Sequence, residues 1–195
     1  LARRLAIVQR HIRTALDGCG PGPIRVISCC AGQGRDLIGA IAGHRRAGDV
    51  KGRLVELDAR NCDLARAAAP AGVEVVAGDA SDTSAYRGAV PAELVVACGV
   101  FGNISDEHIR RTIDTLPSLC APAATVIWTR HRRPPDRTAD IRKWFGDAGF
   151  DEVAFDGPDG FVFGVGVHRL ARHPDPFRPD VKMFDFVGSD QNWPR

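Results

Sequence analysis

The stretch VISCCAGQGRD, residues 26–36, decides how the rest of the chain is read. An apolar, β-branched run ends in two adjacent cysteines. Gly32-Gln33-Gly34 follow shortly after, and then the charged pair Arg35-Asp36. Two readings compete: a thiol centre for metal or redox chemistry, or a strand end that turns through glycine into a helix. Adjacent residues of a strand point to opposite faces, so Cys29 and Cys30 are badly placed to share one ion. The remaining cysteines, Cys19, Cys62, Cys98 and Cys120, form no CxxC pair and no paired zinc spacing. Most lie in apolar segments, where a free cysteine acts as a small hydrophobe. No metal site is expected, Cys29 reads as core filling, and a reducing cytoplasm is the natural setting. The strand–turn–helix reading is preferred.

On both sides of this turn the chain alternates between element types. Residues 1–16 place Leu1, Leu5, Val8, Ile12 and Leu16 on one helical face, so 1–18 reads as a leading amphipathic helix stopped at Gly18. Strands are predicted at 24–30, 53–58, 73–77, 94–98 and 125–129, with helices at 36–42 and 61–69. Ser105 caps a further predicted helix with Ile109, Ile113 and Leu116 inward. Thr138 caps another, with Ile141, Trp144, Phe145 and Ala148 inward and Gly149 at its end. The pattern then becomes a hairpin: strand 152–155, turn 157–160, strand 161–167. The Pro- and Asp-rich tail, 171–195, holds one more strand candidate at 181–187. Repeated βα units imply an α/β fold: a Rossmann-like, doubly wound, mostly parallel sheet with a C-terminal antiparallel hairpin. Residues 1–170 read as the domain and 171–195 as an extension.

The bulk numbers agree with an ordinary globular domain. The 195 residues suit one domain, with 44% hydrophobic and 26% charged residues. A net charge of +2 offers no broad basic field, so no nucleic-acid partner is expected, and Arg130, Arg132 and Arg133 read as a solvated loop. No apolar stretch approaches a membrane span, and arginines interrupt the N-terminus too often for a signal peptide. The chain opens on Leu1, so its natural start is expected upstream.

In such a sheet, ligands bind outside the carboxyl ends of the strands, where strand order reverses. The first strand end offers the backbone of Cys30, Ala31, Gly32 and Gly34, with a helix N-terminus beyond. The second ends in VELDARN, where an acid can accept from both hydroxyls of a ribose. Glu56 and Asp58 share a face, and Asp58, with Ala59 beside it, is the choice because it lies nearer the end. The third ends in AGDAS, where Asp79 can take the amine of an adenine and the Ala80 N–H a ring nitrogen. An Asx turn is the plainer alternative. The fourth ends in ACGVFGNIS: Gly99 allows close approach at the floor of the site, and Phe101 and Asn103 face a second substrate, although Phe101 reads equally well as core. A dinucleotide would want glycine or alanine at Leu37, and Asp36 would repel a pyrophosphate. An adenosyl group linked to an amino acid fits better, with Asp36 or a solvent-bridged partner receiving its ammonium.

On VISCCAGQG, VELDARN, VVAGDA and LVVACGVFGNIS, in that order, residues 24–170 resemble the class I S-adenosylmethionine-dependent methyltransferases. They are similar in particular to small actinobacterial-type methyltransferase-like proteins of unassigned substrate. The resemblance implies a seven-stranded sheet with a reversed last hairpin. It also implies S-adenosyl-L-methionine as cofactor, S-adenosyl-L-homocysteine as product, and a small-molecule acceptor. The turn at 30–34 would wrap the methionine part, Asp58 hold the ribose, Asp79 and Ala80 the adenine, and Cys98 and Gly99 lie under the sulfonium. This sequence has Ser28 where the family has an acid and Cys30 where it has glycine, so Cys30 is expected at an ordinary φ in a relaxed turn. His131, then His108, are the candidate general bases, each also readable as a surface or capping histidine. The competing functions are a nicotinamide-dependent oxidoreductase and a non-catalytic binding module. The tail, 171–195, could serve such a module, or form a lid or a homodimer interface.

Overall fold

Val, Ile and Leu dominate the central strands, and a strand buried on both faces needs such a continuous apolar run. A computed structural model describes residues 2–157 and 162–187. It contains β1 (Ile24–Cys29), β2 (Val50–Glu56), β3 (Val73–Ala77), β4 (Ala92–Ala97), β5 (Cys120–His131), β6 (Phe150–Asp156) and β7 (Phe163–Leu170). The sheet order is β3-β2-β1-β4-β5-β7-β6. The first five strands run parallel, and β7 is inserted antiparallel between β5 and β6. This is the doubly wound sheet with a reversed closing hairpin that the sequence predicts. The hairpin turn expected at 157–160, except Gly157, and Phe161 fall outside the described residues.

Helices α1 (Ala2–Gly18), α2 (Arg35–Ile41) and α3 (Ala59–Ala68) cover one face of the sheet. Val8, Ile12 and Leu16 of α1 are buried there, as their helical spacing requires. Helices α4 (Asp106–Thr115) and α5 (Thr138–Asp147) cover the other face. Ser105 caps α4 by accepting from the His108 N–H at 3.2 Å. Thr138 is not the cap of α5. It is the first helical residue, and Asp136 Oδ1 accepts from both its N–H (2.9 Å) and its hydroxyl (2.7 Å). At the centre of this face Trp128 stacks on Phe145, with ring centroids 6.0 Å apart. Gly166 on the neighbouring strand is needed for that arrangement, because a Cβ there would lie 2.2 Å from the indole.

Between β3 and β4, where a crossover helix would complete the layer, the chain makes only a single 3-10 turn, Thr83–Tyr86. The C-terminal segment fills the gap. The expected strand at 181–187 does not form; instead this stretch makes two isolated bridges, Lys182 with Asp82 and Phe186 with Ile104. Strand β7 ends beside the start of β6, at the amino ends of the parallel strands, so the segment must climb back up the sheet. It is fastened on the way. Asp175 N–H donates to Pro117 O, and Thr83 Oγ1 donates to Arg178 O (2.7 Å) and accepts from Val181 N–H (3.0 Å). Met183 N–H donates to Ser81 O at 2.7 Å. Met183 and Phe184 are buried in the same core as Tyr86, Ile109 and Ile113. Residues 171–187 are thus a strap lying against their own domain.

Candidate functional site

Strand order reverses between β1 and β4, and the turn after β1 lies at that reversal. Cys30 does not take the ordinary φ expected of it. It sits at φ 50°, the left-handed conformation that glycine adopts without cost. The turn therefore takes a glycine-like conformation with a side chain in place of hydrogen. Ala31 N–H donates to Val55 O (3.0 Å) and Gly34 N–H to Ala31 O (2.9 Å). Gly34, at φ 70°, opens α2, and a Cβ there would lie 2.7 Å from both Ile38 and Leu54 side chains. Over Gly32 and over Gly99 the space is open: a Cβ at either would meet nothing within 4 Å.

The acid nearest this turn is Glu56, the last residue of β2. Its Oε2 accepts from Gly32 N–H at 2.7 Å, and its Oε1 from the N–H groups of Leu57 (3.1 Å) and Asp58 (2.9 Å). Asp58 has a different task. Helix α3 begins at Ala59, two residues earlier than predicted, and Asp58 is its N-cap, accepting from Asn61 N–H at 2.8 Å. Its exposed side chain does not line the cavity at the strand ends. The capping role was legible: an Asp directly before an alanine-rich helical run is a start signal.

That cavity has a volume of about 190 Å³, and Cys30, Glu56, Leu57, Asp79, Ala80 and Ser81 line it together with Lys182, Phe184, Asp185 and Phe186 of the strap. Asp79 Oδ1 accepts from the N–H (2.9 Å) and hydroxyl (2.6 Å) of Ser81, as an Asx turn does. Its Oδ2 accepts from Lys182 Nζ at 2.7 Å. Partial burial works against the Asp79 charge, but the Lys182 and Ser81 hydrogen bonds outweigh it and hold the carboxyl below its usual range. A carboxylate offers about four acceptor sites, so Asp79 and Glu56 each retain one. The Ala80 side chain is buried and its carbonyl accepts from Tyr86 Oη at 2.7 Å. The strap's part in this wall was not legible, because nothing in a Pro- and Asp-rich tail signals where it docks.

On the β4 side, Gly99 N–H donates to Thr129 Oγ1 (2.9 Å) and Asn103 Nδ2 donates to Gly99 O (2.6 Å), which pins the loop. Burial raises the Asp36 carboxyl above its usual value, against the pull of Arg4 and a hydrogen bond with Cys98. The Cys98 thiol is pushed well up by burial and by Asp36. Phe101 is not at the site. Its ring is fully buried against Trp128 and Phe145, which settles it as core. Asn103 is exposed, and its carbonyl accepts from Val187 N–H of the strap at 3.0 Å. His131 ends β5 beside Gly102; burial, with Arg130 and Arg133, lowers its pKa, so it is neutral at pH 7. His108 is committed elsewhere: its Nδ1 accepts from Asp185 N–H at 3.1 Å and so holds the strap.

Among the described residues, no helix is long and apolar enough to cross a membrane. No protein-family model matches the sequence, and neither does any curated protein. Solved structures do match. Magnesium protoporphyrin IX methyltransferase from Synechocystis, with bound SAM, is 18% identical with a TM-score of 0.64, over 85% of this chain and 79% of that one. The N-methyltransferase NodS from Bradyrhizobium japonicum, in complex with S-adenosyl-L-homocysteine, is 15% identical with a TM-score of 0.64, over 88% and 87%. An O-methyltransferase family protein from Burkholderia thailandensis is 16% identical with a TM-score of 0.60, over 84% of this chain but only 56% of that one. The chain has the fold of the class I S-adenosylmethionine-dependent methyltransferases.

Proposed function

We propose that this protein transfers a methyl group from S-adenosylmethionine to a small-molecule acceptor. One observation carries the reading: Glu56 at the end of β2 binds the Gly32 N–H of the β1 turn and lines one cavity with Asp79 from the end of β3. The open space over Gly32 and Gly99 and the two carboxylates fit an adenosyl group linked to an amino acid. In this assignment Glu56, rather than Asp58, accepts from the ribose, and Asp79 from the base amine. Leu57, which lines the cavity and is 73% exposed, gives the base an apolar contact. The turn from Cys30 to Gly34 runs under the amino-acid part, and Asp36 receives the ammonium that the missing acid at Ser28 would have served.

When bound, the sulfonium supplies the reactive carbon for an in-line displacement. The chain's own contribution is position: glycine backbone and fixed carboxylates hold the donor, and Cys98 and Gly99 floor the approach. His131, neutral at pH 7, can take a proton from a hydroxyl acceptor; an acceptor with a free lone pair needs no base.

Calorimetry with S-adenosylmethionine and S-adenosylhomocysteine tests this. Wild type binds both. Glu56→Gln weakens binding about tenfold or more, as expected for a hydrogen bond to a charged acceptor. Asp58→Ala keeps the affinity and loses about 1 kcal/mol of stability through the cap. Failure of wild type to bind either ligand refutes the reading, and binding of NAD(H) in their place would establish the nicotinamide alternative.

A further inference from the structure

The cavity at the strand ends is too small for a whole ligand. Its volume of about 190 Å³ falls below the roughly 300–1,000 Å³ that encloses a drug-sized molecule, so it holds one part of one. Two of its lining side chains, Leu57 and Phe186, are large, apolar and about half or more exposed, at 73% and 51%. Leu57 comes from the end of β2 and Phe186 from the strap. Such exposure costs free energy unless something covers the surface.

Phe186 is also held in place, which sets it apart from a loose surface aromatic. Its backbone bridges Ile104, and the next N–H, of Val187, donates to Asn103 O at 3.0 Å. The preceding N–H, of Asp185, donates to His108 Nδ1 at 3.1 Å. Its ring meets the buried Phe184 edge-on, with centroids 5.5 Å apart. Upstream, Lys182 fastens the strap to Asp79 itself, at 2.7 Å. The ring is therefore presented to the cavity on a backbone fixed immediately before and after it, through His108 and Asn103, at the place where the sheet offers Asp79 for a base amine.

We infer that Phe186 is a binding residue contributed by the C-terminal strap: it covers the purine base of the ligand, in the cavity that Leu57 also lines. This rests on the adenosylmethionine reading and adds a wall that the sheet does not supply. A flat base offers a π-face to an aromatic ring whatever its hydrogen-bonding edge, so the ring supplies affinity and Asp79 the choice of edge.

The test is calorimetry on the full chain with two probes, S-adenosylhomocysteine and adenosine, which share the base but not the amino-acid part. Phe186→Ala is expected to weaken both by a common factor of about 5- to 150-fold, the range for losing one base–aromatic contact. Phe186→Trp retains affinity for both. The melting temperature of each variant reports whether the strap stays docked. Wild-type affinity in a folded Phe186→Ala overturns this inference and leaves the adenosylmethionine reading standing. A loss confined to S-adenosylhomocysteine also overturns it, because the ring would then lie against the amino-acid part. Failure of wild type to bind either probe overturns both.

Discussion

Trp128 donates its indole N–H to Nδ1 of His168 at 3.1 Å, inside the core between β5, β7 and α5. That bond assigns the tautomer: Nε2 carries the proton, 3.7 Å from Glu152 Oε2. Burial lowers the His168 pKa to about 4, and Glu152 offsets this only in part.

The consequence for stability has a definite sign. Unfolded, the imidazole titrates near its ordinary value of 6.5. Between pH 6.5 and about 4 the unfolded chain binds the extra proton, so stability falls as the pH is lowered through that window. A full shift of this size corresponds to about 3 kcal/mol. His168→Gln keeps an acceptor for the indole but cannot titrate. Urea melts of the variant between pH 7 and 4 should show a shallower decline than wild type; parallel curves would remove His168 as the cause.

Cys30 carries a side chain at φ 50°, where a Cβ costs roughly 1 kcal/mol or more. Cys30→Gly removes that cost but loosens the unfolded chain, so the two effects oppose each other and stability should stay within about 1 kcal/mol of wild type. Cys30→Val, β-branched at the same φ, should lose about 2 kcal/mol. Chemical denaturation of the pair measures both. Burial, with Cys29, Glu56 and Asp79 nearby, raises the Cys30 thiol far above its usual value, so it stays protonated at pH 7.

An ammonium held by Asp36 requires that carboxyl to be ionised, and burial has raised its pKa. Affinity for S-adenosylhomocysteine should therefore fall as the pH drops through the raised value. Asp36→Asn should bind about tenfold more weakly and lose that pH dependence. Titrations at several pH values separate the two, and an unchanged pH profile in the variant would place the ammonium elsewhere.

The strand ends were legible because their chemistry is local. A β-branched run, a glycine turn and an acid in register follow from residues a few positions apart, and so the sheet could be read from Ile24 to Val167. Glu56 and Asp58 show where local reading stops. Both are acids on one face, and which of them caps a helix turns on whether α3 starts at Ala59 or Asn61. Helix boundaries are the least certain part of any periodic pattern. Thr138 and Asp136 differ for the same reason. The strap was illegible on other grounds. Lys182 meets Asp79 across 103 positions, and no spacing rule connects them. Phe186 lies in the stretch read as a strand, 181–187, but nothing there shows where it docks, and the missing crossover helix that makes room for Met183 and Phe184 leaves no mark on their own segment.

Strand β7 enters the sheet between β5 and β6, and only then does the chain turn back toward Asp79. On a ribosome, every strand that frames the cavity emerges before the strap that roofs it. A nascent chain can assemble the sheet out to β5 and still lack Lys182 and Phe186 at the rim. The last described residues of the strap, pinned to Asn103 through Val187, reach the rim only after the whole sheet has been made.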